Sequence, residues 1–187
     1  MNSFNEQKLK KIAKPYMEKA RSGDWKHALR VVKWVKILGK NRKDLPFLIT
    51  AAYIHDIGWS GVAPKGKLDF DHMLKLEKKA NNNSRRLTLI VLRKIKFSNS
   101  EMKTVDRLIA AADKHMSRKK DEEIIVDADN LSKLCLAHIK EKYEPESYGK
   151  LIKIWENDLA KRIKTEYGKK IYPRLLKELK EKIGGIR

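Results

Sequence analysis

Apolar residues recur along most of the chain at intervals of three and four positions, which is the spacing of one face of an α-helix. The clearest stripes are Ala28, Val31, Val32, Val35 and Leu38; Val105, Leu108, Ile109 and Ala112; Leu131, Leu134, Cys135 and His138; and Ile171, Leu175, Leu176, Leu179 and Ile183. No segment alternates with period two for long. Only IIVDA at 124–128 resembles a strand, and a helix start explains it equally well. The pattern predicts an all-α, single-domain multi-helix bundle.

Capping and breaking residues predict where these helices begin and end. Asp24 is a plausible N-cap of the first stripe, and Ser98 or Ser100 is the expected cap of the second. Gly184 and Gly185 should stop the last helix. Three loops are expected: a glycine-rich one at 58–69, a basic one at 116–121, and NNNS at 81–84, which is expected to break a long helix in two.

Composition limits the class of protein. The 187 residues suffice for one domain with a sizeable core, and a single cysteine, Cys135, precludes an intrachain disulfide. The first residues carry no apolar stretch of the kind that signal peptides have, and no run approaches the roughly 18–20 apolar residues that span a bilayer. We therefore expect a cytoplasmic protein without a membrane partner.

The net charge of +20 would attract anions over a long range. The lysines are spread along the whole chain and lack interleaved surface aromatic residues, which nucleic-acid-binding surfaces commonly have. Nucleic acid is therefore a possible partner but not the favoured one, and a small anionic substrate fits better.

Histidines and aspartates border the apolar stripes in a fixed order. His55 and Asp56 lie side by side in YIHDIGWS, directly after the apolar run LPFLITAA, where an unpaired ionisable group would be costly. The others are His27 in DWKHALRV, His72 in DFDHML, His115 in AADKH, and Asp127 and Asp129 in IVDADNL. Imidazole and carboxylate together suit a divalent transition metal such as Fe, Mn, Ni, Co or Zn. His138 fits no such pattern and is expected to be a packing or surface residue.

The wordings KHALRV, YIHDIG and VDADNL resemble the HD-domain superfamily of metal-dependent phosphohydrolases, whose pattern is a His, a His-Asp pair and a distant Asp. The segment KRIKTEYGKKIYPRLLKEL also resembles the tail of small stand-alone members. The resemblance implies one domain over residues 1–187, with a metal core at about 24–136 and C-terminal helices at about 147–184 packed on it.

The resemblance also implies a ligand set. His27, His55 and Asp56 would bind the first metal, with Asp129 as the fourth ligand, because the family's distant Asp usually lies in an "ADxL" sequence. Asp127 is the alternative ligand; otherwise it would cap a helix or accept a hydrogen bond from a ligand histidine. His72 and His115 would hold a second metal bridged by Asp56, or else contact phosphate or move protons.

The implied activity is hydrolysis of a phosphoester, in a nucleotide or another small phosphorylated metabolite, by metal-activated water. Asp56, His72 and His115 are the expected catalytic residues. The expected phosphate contacts are Arg30, Lys65, Lys67, Arg118 and Lys119, with Arg30 the best placed because it shares a helix with His27. The alternatives are an HD-type di-iron oxygenase and a nucleotide- or nucleic-acid-binding module without turnover. The GYP signature of the cyclic-dinucleotide branch is absent from the sequence.

Overall fold

A computed structural model describes residues 4–67 and 70–185. Within these ranges the chain is all-α, as predicted, and contains no strand. The helices are α1 (Glu6–Met17), α2 (Asp24–Leu38), α3 (Leu45–Ile54), α4 (Phe70–Lys94), α5 (Asn99–Asp113), α6 (Lys120–Lys133), α7 (Leu136–Lys142), α8 (Tyr148–Arg162) and α9 (Glu166–Gly184), with short 3₁₀ turns at Ile57–Trp59 and Pro145–Ser147. Among the described helices, none combines the length and the hydropathy that crossing a bilayer requires.

Helix α3 lies at the centre of the N-terminal part. All its residues from Leu48 to Ile54 are buried, because the sequence LPFLITAAYI is apolar on nearly every side. Helices α1, α2, α5 and α6 pack around it and bury a first core that includes Leu9, Val31, Leu108 and Ile125. The His-Asp pair follows α3 directly, so it is carried into this interior.

The C-terminal helices bury a second core. Leu151, Trp155 and Leu159 of α8 and Leu176 of α9 pack there against Leu131 at the end of α6. Helix α6 belongs to both cores, so the nine helices of the described residues pack as a single domain.

Two of the expected caps can be compared with the structure. Ser98 caps α5 and forms a capping box with Glu101, so the first alternative is confirmed. The prediction for Asp24 was wrong: Gly23, with φ of 76°, is the N-cap of α2, and Asp24 is its first helical residue. Its carboxylate instead accepts hydrogen bonds from the backbone N–H and the Nε of Arg21.

The predicted break at NNNS was also wrong, because α4 runs without interruption over 25 residues. Asparagine disfavours helix interiors because its side chain can form local hydrogen bonds that compete with those of the helix backbone. Here the Nδ2 of Asn83 instead donates to the carbonyl oxygens of Gly58 at 2.9 Å and Ser60 at 3.1 Å. The side chain is thus engaged in a tertiary contact. The strand-like segment IIVDA is likewise helical, inside α6.

The turn after the His-Asp pair lies directly against α4. A Cβ atom on Gly58 would come within 2.2 Å of the Ala80 carbonyl oxygen and 2.9 Å of the Ser84 Cβ. Only glycine permits this approach. The glycine-rich loop predicted at 58–69 therefore begins as a packed turn, and its last two residues, Leu68 and Asp69, lie outside the described residues.

We predict that Gly58→Ala lowers the free energy of unfolding by about 2–3 kcal/mol, because the added methyl group overpacks against helical backbone that cannot yield. Chemical denaturation monitored by circular dichroism measures the change. The control is Gly149→Ala, because a Cβ there meets nothing within 4 Å. Equal stability of both variants would contradict the close packing of the turn.

Candidate metal centre

Three helices bring four of the predicted ligands together. His27 projects from α2, His55 and Asp56 follow α3, and Asp129 projects from α6. The two histidines and Asp129 are buried, while the Asp56 side chain retains 14% exposure. We call these four residues the floor of the site.

The floor atoms lie at close and similar distances. His27 Nε2 is 3.2 Å from His55 Nε2 and 3.1 Å from Asp129 Oδ1. Asp56 Oδ2 is 3.9 Å from His27 Nε2 and 3.5 Å from His55 Nε2. His55 Nε2 is 3.6 Å from Asp129 Oδ1. Four ligand-type atoms therefore converge on one region.

Hydrogen bonds on the far sides of the rings orient both imidazoles. His55 Nδ1 lies 3.0 Å from the Ala52 carbonyl oxygen, which only accepts, so Nδ1 carries the proton. Ser132 Oγ donates to the Asp129 carbonyl at 2.8 Å and can accept from His27 Nδ1 at 3.1 Å. In these tautomers both Nε2 atoms present lone pairs to each other and to the carboxylates.

Lone pairs that face one another at 3.2 Å fit a shared cation. Metal–ligand bonds of about 2.0–2.2 Å place neighbouring ligand atoms roughly 3.0 Å apart in octahedral and 3.4 Å apart in tetrahedral geometry. The distances from His27 Nε2 and His55 Nε2 to Asp129 Oδ1, 3.1 and 3.6 Å, are of this order. His27, His55 and Asp56 form a group that could hold a metal ion. Asp129 lies beside this group, with its Oδ1 3.1 Å from His27 Nε2.

Burial and nearby charges keep the floor in the protonation state that a cation requires. Burial lowers the pKa of His27 to about 3, although the hydrogen bond that a protonated ring would donate to Asp129 opposes this. Burial alone would raise the pKa of Asp56, but Arg21 and His55 outweigh it and hold that pKa well below its usual range. Lys133 and His27 do the same for Asp129.

Three cations missed by the sequence analysis contact these acidic groups. Arg21 Nη2 lies 2.5 Å from Asp56 Oδ2, and Lys133 Nζ lies 2.6 Å from Asp129 Oδ2. Lys142 is buried against Asp24, with its Nζ 3.7 Å from Asp56 Oδ2. The spacing i, i+4 from Asp129 to Lys133 was a usable signal, whereas nothing in the sequence connects Lys142 with α2.

His115 lies beside the floor, with Nδ1 3.8 Å from Asp129 Oδ2. It follows α5 with φ of 51°, and its buried Nδ1 has no hydrogen-bond partner among the described residues. The charge of Lys133, with burial, lowers its pKa to about 4. Asp113, two residues earlier, also lines this region and was missed; burial and the charge of Asp56 raise its pKa to about 7.

The remaining histidines lie differently. His72 is exposed on the first turn of α4 and is not among the described residues that line the cavity above the floor. His138 is buried, as the packing alternative predicted, with its ring 4.8 Å from that of His27. The structure thus brings His115 to the floor but not His72.

Asp127 and Asp129 point to opposite parts of the molecule. Asp127 accepts hydrogen bonds from the backbone N–H groups of Lys164 at 2.9 Å and Thr165 at 2.7 Å, just before α9. Burial raises its pKa. Asp127 therefore fastens α9 to α6, and Asp129 alone of the two lies beside the histidines.

None of the five cations expected to contact phosphate lines the cavity. Arg30 pairs with Glu141 at 2.9 Å, and Lys65 and Lys67 line a separate surface groove. Arg118 and Lys119 are exposed before α6. The cations that do line the cavity are Arg21, Lys133, Lys142 and Arg162.

The cavity above the floor has a volume of about 300 Å³, which suits a small metabolite. Residues of α4 and α8 also line it, and most of them are apolar; the polar ones among the described residues are Glu77, Asn81 and Arg162. Comparison with protein-family models, with curated proteins and with solved structures finds no match for this chain. Its function must therefore be argued from the site itself.

We predict that Asp129→Asn loses bound metal while Asp127→Asn retains it. Asp129 supplies a carboxylate oxygen to the floor, whereas Asp127 fastens α9, so its substitution should lower thermal stability instead. Metal content by mass spectrometry and melting temperature measure the two effects. The opposite ranking of metal loss would assign the ligand to Asp127.

We predict that the metal-free protein becomes less stable as pH falls from 6.5 towards 4. The unfolded chain protonates His27 near pH 6.5, but the folded chain does so only near its lowered pKa of about 3, so protons favour unfolding within this window. His27 alone would contribute about 1.4 kcal/mol per pH unit. Denaturation in chelator should show a shallower pH dependence for His27→Gln, and identical slopes would contradict the buried neutral imidazole.

Proposed function

We propose that the protein is a metal-dependent phosphohydrolase of the HD type that acts on a small phosphorylated metabolite, nucleotides included. The observation that supports this most is the convergence of His27, His55 and Asp56, with Asp129 beside them, at the floor of a cavity. Four cationic side chains among the described residues line the same cavity. Metal ligands and cations in one small cavity suit a phosphate group better than a neutral substrate.

Charge balance favours an anionic ligand once a cation is bound. Without a metal ion, Arg21 and Lys133 already pair with the carboxylates of Asp56 and Asp129. A divalent cation would add two positive charges to this balanced set. A phosphate monoester dianion supplies the matching negative charge, and the arginine and lysine side chains would then be available to its oxygens.

The floor residues His27, His55, Asp56 and Asp129 would hold the ion. The chemistry that a divalent cation supplies there is Lewis acidity, which polarises a phosphoryl oxygen and can lower the pKa of water to about 7. In the reaction, an oxygen of water bonds to phosphorus, the P–O bond of the ester breaks, and the alcohol takes up a proton. Asp113 and His115, which line the same cavity, would move that proton.

The ion count remains a prediction of one or two. The geometry supports a single four-ligand ion most directly, because His115 lies near Asp129 and His72 lies on the exposed start of α4. The di-iron oxygenase alternative would require a second metal ion.

The test combines metal analysis with a substrate panel. Protein purified without chelator should contain metal and should release phosphate from at least one monophosphate ester or nucleotide, independently of oxygen. Asp56→Asn should lose both properties and keep its helical circular dichroism. The matched control, Glu178→Gln, changes an exposed carboxylate on α9 and should behave like the wild type. Metal retention without phosphate release would overturn the proposal, and oxygen-dependent turnover would favour the di-iron alternative.

A further inference from the structure

One face of α8 lines the cavity along the whole helix. Its residues there are Leu151, Ile154, Trp155, Leu159 and Arg162, at the spacing of a single helical face. The first four are apolar and the last is a cation. Arg162, in the last turn of α8, lines the same cavity as the floor residues.

The first turns of α4 form the facing side. Lys150 Nζ and Asp71 Oδ1, 2.8 Å apart, connect the start of α8 to the start of α4. Met73 and Leu74 follow Asp71 and line the same cavity. We call the six apolar residues of α4 and α8 the apolar wall: Met73, Leu74, Leu151, Ile154, Trp155 and Leu159.

Arg21 connects the apolar wall to the floor. Its Nη2 binds Asp56 Oδ2 at 2.5 Å, and its Nη1 lies 3.4 Å from the sulfur of Met73. The apolar wall therefore begins one side chain away from a floor carboxylate. A phosphate held at the floor would have its ester oxygen within reach of this wall.

Part of the apolar wall is core, since Leu151, Trp155 and Leu159 pack in the second core. The mouth is different. Leu74 is 48% exposed, and Ile154 is half-buried at the edge of the second core. Apolar side chains that are exposed at the entrance of a charged cavity contribute little to the stability of the free protein. An apolar ligand would cover them and remove them from water.

We propose that the organic group of the substrate is compact and apolar, such as an aromatic or branched aliphatic group, and carries no second phosphate. This inference rests on the proposed function for the phosphate end. The aliphatic residues of the apolar wall offer no hydrogen-bond partners to the hydroxyls of a sugar, and among the described residues the polar side chains of α4 that line the cavity are Glu77 and Asn81. Most of the desolvation cost of a sugar would therefore be uncompensated along this wall. Glu77 lines the cavity on the α4 side, and its carboxylate would repel a second phosphate.

The test uses phosphonates, because their P–C bond is not hydrolysed and binding can be measured alone. Calorimetry in excess Mn²⁺ compares phenylphosphonate with methylphosphonate, which has the same charged group. We expect phenylphosphonate to bind about tenfold more tightly or better, the order expected for burying one aromatic ring. Equal affinities, or no binding of either compound, would overturn the inference.

Variants at the mouth locate the preference. Leu74→Ser and Ile154→Ser should each reduce the affinity for phenylphosphonate about threefold or more and leave that for methylphosphonate unchanged. The control is Ile37→Ser, because Ile37 is 42% exposed on α2 and does not line the cavity. A phenyl preference that persists in both mouth variants would also overturn the inference.

Hydrolysis of phenyl phosphate and glycerol 2-phosphate, measured in parallel, separates this inference from the proposed function. A phenyl preference in binding that depends on the mouth residues, without phosphate release from either ester, would support the apolar site and overturn the hydrolase. Release from both esters at equal kcat/KM, with equal phosphonate affinities, would support the hydrolase and overturn the apolar preference.

Discussion

The carboxylates of Asp56 and Asp129 lie in an interior where an uncompensated charge is costly, and much of the surrounding structure serves to compensate it. Arg21 and Lys133 each pair with one of them, and Lys142 reaches from α7 to the same region. These contacts bring the loop between α1 and α2, the end of α6 and the end of α7 to one point. The neutral imidazoles between them provide donors for a cation without adding charge.

Helix α6 links this charged interior to the rest of the molecule. Asp127 and Asp129 are two positions apart, about 200° around a helix, so they face nearly opposite sides. Asp129 contributes to the floor, while Asp127 accepts the backbone N–H groups before α9. One turn of α6 thereby fixes both a floor residue and the C-terminal helices. A shift of this turn would disturb the floor and the second core together.

Sequence periodicity predicted the helical class because it reports on buried faces, and the order of His27, the His-Asp pair and Asp129 identified the residues that converge. The sequence patterns did not identify Lys142, whose partner Asp24 is 118 residues away, because no periodic pattern encodes contact between distant helices. The expected break at NNNS failed for a similar reason: Asn83 is satisfied by carbonyl groups in another part of the chain. Arg30, an expected phosphate contact because it shares a helix with His27, pairs with Glu141, which is 111 residues away in the sequence.

The floor and the apolar wall belong to different parts of the fold, and this separation bears on how the site could be used. The floor comes from α2, α3 and α6, inside or at the edge of the tightly packed first core. The apolar wall comes from α4 and α8, and at the mouth it includes Leu74, which is 48% exposed. Changes at the mouth can therefore alter which organic group is accepted without moving a ligand atom. Changes at the floor would remove the site and leave its walls intact, because the second core is built without the floor residues.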